Sequence, residues 1–151
     1  MGSEMCIRDS FRHRLVPYLY HTACQTHQSG IPMIRPLVME YPKDPIAKIQ
    51  NLSYMLGDAL LISPGFDRDE YELYLPEGRW QDIESKEVYE GMTFVHIENK
   101  AFADGGTSLR VFQKEGTSIP LFAQKEVLHV PAQLWKQEDL EFMTFQKKDV
   151  D

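Results

Sequence analysis

Short runs of alternating apolar and polar residues follow Gly57 and predict β-strands separated by turn sequences such as Pro-Glu-Gly and Asp-Gly-Gly. The predicted strands are Ala59 to Ser63, Glu70 to Leu75, Glu87 to Tyr89, Thr93 to Glu98, Ser108 to Gln113 and Val127 to Val130. Several short strands at this spacing are typical of an antiparallel β-sandwich. The residues expected to alternate inward and form its core are Leu60, Ile62, Leu73 and Leu75.

The apolar residues before Gly57 have a different spacing, which predicts a helix, a strand and a second helix. The first helix runs from Phe11 to Ser29 and is capped by Gly30, with Pro17 causing a kink or a late start. Its apolar face consists of Leu15, Leu19 and Ala23, with Val16 and Tyr20 beside it.

Residues 31–41 are densely apolar without alternation, a pattern that favours a strand buried on both faces, as in parallel barrels. Pro32 and Pro36 shorten that strand. A short helix with Ile46, Ile49 and Leu52 follows within Lys43 to Leu56.

The fold class is therefore mainly β, an antiparallel β-sandwich preceded by a helix, a strand and a helix. Four segments result: a polar leader at 1–10 that is excluded from fold reasoning, a strand-and-helix part at 11–56, the sandwich at 57–131, and the start of a further element at 132–151. A chain of 151 residues is too short for a complete (β/α)8 barrel, which needs about 200 to 250 residues.

The composition and charge of the chain limit the classes of molecule that it is expected to bind. Apolar residues make up 42% of the chain and charged residues 26%, as in a folded globular protein. The net charge of −7 includes no cluster of Lys and Arg, so nucleic acid is not an expected partner. No apolar run is long enough to span a membrane. We expect a soluble chain whose compartment and oligomeric state stay open, with the cytoplasm slightly favoured.

Candidate chemical groups are few, and a structural role is favoured for each. Glu40 and Asp44 are the carboxylates just past the predicted buried strand, but a plain loop is the preferred interpretation. The acidic cluster of Asp67, Asp69, Glu70 and Glu72 lacks the glycine and closing Glu of a calcium loop. The histidines at 13, 21, 27, 96 and 129 form no compact ligand set, so neither a metal nor another cofactor is expected.

Nucleophilic catalysis is not expected from the serines or cysteines. Ser29, Ser63 and Ser118 lack a nucleophile-elbow sequence, and Cys24 lies within the first predicted helix without a nearby base. Cys6 and Cys24 fit neither a zinc site nor a disulfide framework. We therefore assign no catalytic residue on pattern alone.

Aromatic residues offer a second kind of site, a surface on which sugars could stack. The candidates are Trp80, Tyr89, Phe94, Phe112 and Phe122. At strand spacing such residues more often belong to the core, so the core is the preferred interpretation.

Four sequence motifs in order then resemble glycoside hydrolase family 31, and together they cover Arg12 to about Phe122. The first is RHRLVPYLYHTACQTHQSGIPMIRPLVMEYP at 12–42 and the second is YMLGDALLISP at 54–64. YLPEGRW at 74–80 with EVYEG at 87–91, and then VFQKEGTSIPLF at 111–122, complete the series. Order and spacing agree, which makes the resemblance far more specific than any one motif.

The resemblance implies α-glucosidase or α-xylosidase chemistry by double displacement, with one aspartate as nucleophile and another as acid/base. In the family both lie upstream of the PYLY helix, so no catalytic residue is carried over, and His13 is not the family's substrate-binding histidine. The resemblance also implies that 11–56 is the end of the catalytic barrel, 57–131 is the proximal C-terminal sandwich, and Arg35 forms an ion pair near the barrel end. Two departures are the long segment Asn99 to Ser108 and Lys114-Glu115 where the family commonly has Arg.

Two hypotheses follow. The leading one is an inactive structural part of an α-glycoside hydrolase whose partner is an α-linked saccharide bound elsewhere in the enzyme. The alternative is a free-standing carbohydrate-binding or structural sandwich, which should bind sugar saturably through an exposed Trp80 or Trp135.

Overall fold

A computed structural model describes residues 11–64, 69–98, 109–123 and 135–147. The helices are α1 (Val16–Ser29) and α2 (Leu37–Glu40), and a 3-10 helix spans Gln137–Asp139. The strands are β1 (Ile34–Pro36), β2 (Tyr54–Leu56), β3 (Leu60–Pro64), β4 (Glu70–Leu75), β5 (Arg79–Asp82), β6 (Val88–Glu90), β7 (Thr93–Glu98), β8 (Leu109–Lys114), β9 (Thr117–Phe122) and β10 (Leu140–Phe145).

The chain divides into two compact units. The described residues of the larger unit are 32–64, 69–98, 109–117 and 145–147, and those of the smaller unit are 11–31, 118–123 and 135–144. The smaller unit contains α1 and most of the β9–β10 pair, and the larger unit contains the remaining strands.

The larger unit is an antiparallel β-sandwich, so the predicted fold class is confirmed. One sheet has six strands in the order β1-β2-β3-β8-β5-β6, and the other is a ribbon of β4 and β7. The predicted bounds of β4 and β7 are confirmed, and those of β3, β6 and β8 differ by one residue at each end. The predicted strand Val127 to Val130 lies outside the described residues.

Apolar side chains from both sheets meet in one core. The six-stranded sheet contributes Met55, Leu61, Trp80 and Phe112, and the ribbon contributes Tyr71, Leu73, Leu75 and Ile97. Leu73 and Leu75 thus lie where the alternation predicted them. An apolar layer between two sheets is the standard means of stabilising a sandwich.

Strand β3 departs from the predicted alternation. Leu61, rather than Leu60 and Ile62, joins the core cluster and lies opposite Phe112. Leu60 and Ile62 point to the opposite side of the strand, because side chains alternate, yet they are also buried. A strand buried on both faces has no periodic signal that could identify its inner face.

The expected two-faced buried strand over 31–41 is wrong. Only Ile34–Pro36 is a strand, it pairs antiparallel with Tyr54–Leu56 in the six-stranded sheet, and only its middle residue, Arg35, is buried. Leu37 begins the short helix α2 and packs in the sandwich core. The sheet therefore continues across the boundary predicted near Gly57.

The helix predicted within Lys43 to Leu56 is also wrong. Residues 45–49 form turns, and the carboxylate of Asp44 accepts hydrogen bonds from the backbone N–H groups of Ile46 and Ala47. Ile49 is exposed, so the apolar spacing that suggested a helix does not correspond to a buried face.

In the smaller unit, residues 11–14 are helical, and a turn at Leu15 separates them from α1, which begins at Val16 with Pro17 in its first turn. This interruption next to Pro17 corresponds to the predicted kink, and the predicted late start is wrong. Gly30 ends the helix in the left-handed conformation, and its N–H donates to the carbonyl of Thr26. The buried face is Leu15, Tyr18 and Thr22 rather than Leu15, Leu19 and Ala23. Arg14 donates to the carbonyl of Phe122 over 2.9 Å and pairs with Glu141 over 3.0 Å.

The helices within the described ranges are all too short or too polar to cross a lipid bilayer.

Replacing Leu61 by Ala should lower the free energy of unfolding by about 2–5 kcal/mol, because the fully buried side chain would leave a cavity between the two sheets. Val88→Ala is the matched control, since Val88 is 42% exposed and should change stability by about 0.5 kcal/mol or less. Urea unfolding of the two variants measures both values. Equal losses in the two variants would contradict the assigned core.

Candidate functional site

The corner formed by β1 and α2 contains a buried charge. Arg35 donates from Nη1 to Glu40 Oε1 over 2.7 Å and to Asp58 Oδ1 over 2.5 Å, and from Nε to the carbonyl of Pro32 over 2.7 Å. Burial by itself lowers the pKa of Arg35, but the hydrogen bonds and charges of Asp58 and Glu40 raise it overall. Arg35 therefore does form an ion pair, and both partners lie within the sandwich unit.

Glu40 and Asp44 do not form a catalytic pair of carboxylates. Glu40 is bound to Arg35, whereas Asp44 Oδ2 accepts a 2.6 Å hydrogen bond from the hydroxyl of Tyr74. Burial and the hydrogen bond to Asp44 raise the pKa of Tyr74 to about 12. Burial by itself raises the pKa of Asp44. The hydrogen bonds from the Tyr74 hydroxyl and from the two backbone N–H groups outweigh burial and lower the pKa overall. Each carboxylate thus has a structural partner.

The serine candidates also make structural hydrogen bonds. Ser29 donates to the carbonyl of Gln25, Ser63 donates to the carbonyl of Leu52, and Ser118 is hydrogen-bonded to Thr144. Cys24 is a partly buried free thiol on α1, and Cys6 lies outside the described residues.

Three of the five aromatic candidates belong to the core, as the preferred interpretation predicted. Trp80 and Phe112 are fully buried, Phe122 is almost so, and the indole N–H of Trp80 donates to the carbonyl of Pro76 over 2.8 Å. Tyr89 is partly buried with its ring edge-on to that of Phe112. Phe94 differs, because 56% of it is exposed.

His96 is the histidine with charged partners. Its Nε2 lies 2.9 Å from Glu70 Oε2 and its Nδ1 lies 2.7 Å from Glu72 Oε1, across the β4–β7 ribbon. The hydrogen bond that the imidazole donates to the Glu72 carboxylate is the main cause of its raised pKa. His13, His21 and His27 are exposed, and both His129 and Asp67 lie outside the described residues. Within the described ranges, no group of three or more His, Cys, Asp and Glu side chains is placed to hold a metal ion.

The sequence motifs YLPEGRW and EVYEG meet in a close backbone contact. The N–H of Gly91 donates to the carbonyl of Gly78 over 2.6 Å. A Cβ atom added at Gly91 would lie 2.1 Å from the carbonyl oxygen of Pro76, so only glycine fits this position. The motif VFQKEGTSIPLF lies beside them, since Trp80 of β5 pairs with Lys114 of β8.

Comparison with known proteins identifies the family of this chain. Residues 30–126 match the family described as glycosyl hydrolase family 31 C-terminal domain. This chain belongs to glycosyl hydrolase family 31. The match to the family 31 domain begins at Gly30, so it includes β1 and β2, in agreement with the continuous sheet.

Curated members of family 31 are similar over most of this chain. Human (Homo sapiens) neutral alpha-glucosidase AB is 36% identical over 120 residues, covering 76% of this chain and 12% of the relative. An alpha-glucosidase of Saccharolobus solfataricus is 29% identical, covering 78% of this chain and 16% of the relative. The chain thus spans about an eighth of the first of these family 31 relatives.

Solved family 31 structures share the fold. A dextranase of Flavobacterium johnsoniae complexed with glucose has a TM-score of 0.74 at 26% identity, covering 92% of this chain and 16% of the dextranase. The cycloalternan-forming enzyme of Listeria monocytogenes, in complex with a pentasaccharide substrate, has a TM-score of 0.75 at 32% identity. This match covers 91% of this chain and 13% of that enzyme.

Gly91→Ala should destabilise the chain by about 1–3 kcal/mol, because the new methyl group would push against the backbone of residues 76–78. Gly30→Ala is the control for backbone conformation alone, since the added Cβ has no neighbour within 4 Å and only the left-handed φ is strained. Denaturant unfolding measures the loss of stability in each variant, and hydrogen exchange of the residue 91 amide separates the steric clash from backbone strain. Normal exchange at residue 91 in Gly91→Ala would contradict the close contact.

His96 should make stability depend on pH. Its pKa is raised in the folded state, so its contribution is fully present below the ordinary value of 6.5 and is lost as the pH rises through the folded value. His96→Gln should therefore lower the unfolding temperature at pH 5.5 and have little effect at pH 9. Thermal unfolding of both proteins across this range tests the expectation, and a gap that widens at alkaline pH would refute it.

Proposed function

We propose that the protein containing this chain is a retaining α-glycoside hydrolase that acts on α-glucosides or α-xylosides, and that this chain is a structural part of it without activity of its own. The observation that carries the proposal is the family 31 match over residues 30–126. The similar proteins include alpha-glucosidases and a dextranase complexed with glucose, which supports an α-glucoside as the substrate.

The lack of activity is inferred from the chemistry that a retaining hydrolase needs. Two carboxyl groups must face each other across the scissile bond, about 5 to 5.5 Å apart. The family resemblance implies that both aspartates lie upstream of the PYLY helix. Glu40 and Asp44 are held instead by Arg35 and Tyr74, which supports a structural role for both carboxylates.

The structural role is inferred from the β1–α2 corner. Ile34 is 60% exposed, and Val38 and Met39 are also exposed, although all three are apolar. Exposed apolar residues in a group mark a surface that another part of the protein covers. We propose that this corner packs against the catalytic barrel, and that residues 11–31 contribute the last helix of that barrel.

The purified chain should not hydrolyse aryl α-glucoside or aryl α-xyloside above the rate in buffer, because it lacks the acid and the nucleophile. The assay uses the whole chain, with Glu40→Gln and Glu77→Gln as matched variants, since Glu77 is an exposed carboxylate on a loop. Turnover that disappears in Glu40→Gln and persists in Glu77→Gln would overturn the proposal.

The alternative of a free-standing sugar-binding module required an exposed tryptophan. Trp80 is fully buried with its N–H bonded, so no sugar can stack on it while the core is closed. Trp135 is partly buried between the rings of Tyr20 and Phe122, with centroids 5.5 and 5.0 Å away. These contacts favour the structural role over a module that binds through tryptophan.

A further inference from the structure

The β4–β7 ribbon has an inner face in the core and an outer face with a different character. Its register pairs Tyr74 with Phe94, Glu72 with His96, and Glu70 with Glu98. Because side chains alternate along a strand and Tyr71, Leu73 and Ile97 lie in the core, these three pairs lie on the opposite side. Tyr74 is buried on that side, and we call the exposed residues Glu70, Glu72, Phe94, His96 and Glu98 the outer ribbon face.

The aromatic ring of Phe94 is held by contact with the ring of Tyr74. Its centroid lies 5.3 Å from that of Tyr74, which is almost fully buried and bonded through its hydroxyl to Asp44. More than half of Phe94 stays exposed. A ring held in one place at the surface costs little further entropy when a ligand stacks on it.

Hydrogen-bonding groups lie beside that ring. His96 follows Phe94 by two residues on the same face, at a separation of about 7 Å along the strand. The imidazole of His96 contacts both Glu70 and Glu72, so the two carboxylates and the imidazole lie together on this face. Each carboxylate has a second oxygen and further lone pairs that can accept hydrogen bonds.

We propose that the outer ribbon face binds an oligosaccharide, with one pyranose ring stacked on Phe94 and donating a hydroxyl group to Glu72, and with the next sugar unit donating to Glu70, two cross-strand pairs away. A pyranose has an apolar C–H face and many O–H donors, which is the complement of an aromatic ring beside carboxylates. Three carboxylates with one imidazole disfavour phosphate and other anions. A basic peptide with an apolar residue is the competing ligand that the test must separate.

The test is titration of the full chain with maltotriose and with isomaltotriose, followed by ¹H–¹⁵N NMR and by saturation transfer to the sugar. We expect saturable binding with shifts at residues 72, 94 and 96. Phe94→Ala should weaken binding about fivefold or more, corresponding to about 1 kcal/mol of stacking. Phe94→Trp should retain binding, and Glu72→Gln should weaken it about threefold or more by removing a charged acceptor.

Val88→Ala is the matched control, an exposed apolar residue on β6 in the other sheet, and it should bind as the unaltered chain does. Thermal unfolding of each variant confirms that the ribbon is folded. No saccharide binding, equal binding by Phe94→Ala, or binding of a Lys-Leu peptide without saccharide binding would each overturn the proposal. The proposed hydrolase function is tested separately by the aryl α-glucoside assay, whereas this titration measures binding to the ribbon alone, so the two proposals can fail independently.

Discussion

Packing of the ribbon against the six-stranded sheet is the interaction on which the other features depend. A two-stranded ribbon is marginal by itself in water, so β4 and β7 need the apolar layer that Leu73 and Leu75 form with Leu61 and Phe112. That layer fixes the cross-strand register, since a slip of one residue would turn every inner side chain outward. The contacts of His96 with Glu70 and Glu72 exist only in this register.

The sequence was most informative where one face of a strand is exposed. β7 keeps Phe94, His96 and Glu98 exposed on one face, and β4 alternates between surface and core from Glu70 to Leu73, so the bounds of both strands could be predicted from alternation in the sequence. β3 is buried on both faces, so its inner face could not be identified, and Leu61 was missed as a core residue. β1 has three residues, too few for any period, and its place in the sheet depends on pairing with residues 20 positions later.

Local motifs predicted the family better than they predicted a site. YLPEGRW and EVYEG carry the resemblance because they form a close turn contact, where Gly91 lacks the Cβ that would clash with Pro76. The outer ribbon face has no such signature, since Glu72 and His96 are 24 residues apart and meet only through strand pairing. Phe94 was one of five equivalent aromatic candidates in the sequence. Burial separated it from Trp80 and Phe112.

Arg35 shows why a charge is retained in the sandwich. Cross-strand pairing places Arg35, Met55, Leu61, Phe112 and Asp82 in one row. Arg35 begins the row and bonds to Glu40 of α2 and to Asp58 between β2 and β3. Asp58 is largely exposed, so solvent screens that pair and its contribution to stability is small. The more important effect is geometric, because one guanidinium fixes three segments whose apolar neighbours Ile34 and Met39 face solvent. A corner that is already rigid loses less entropy when another surface packs on it, as we propose for the barrel, and this is the advantage a buried ion pair offers over an apolar residue here.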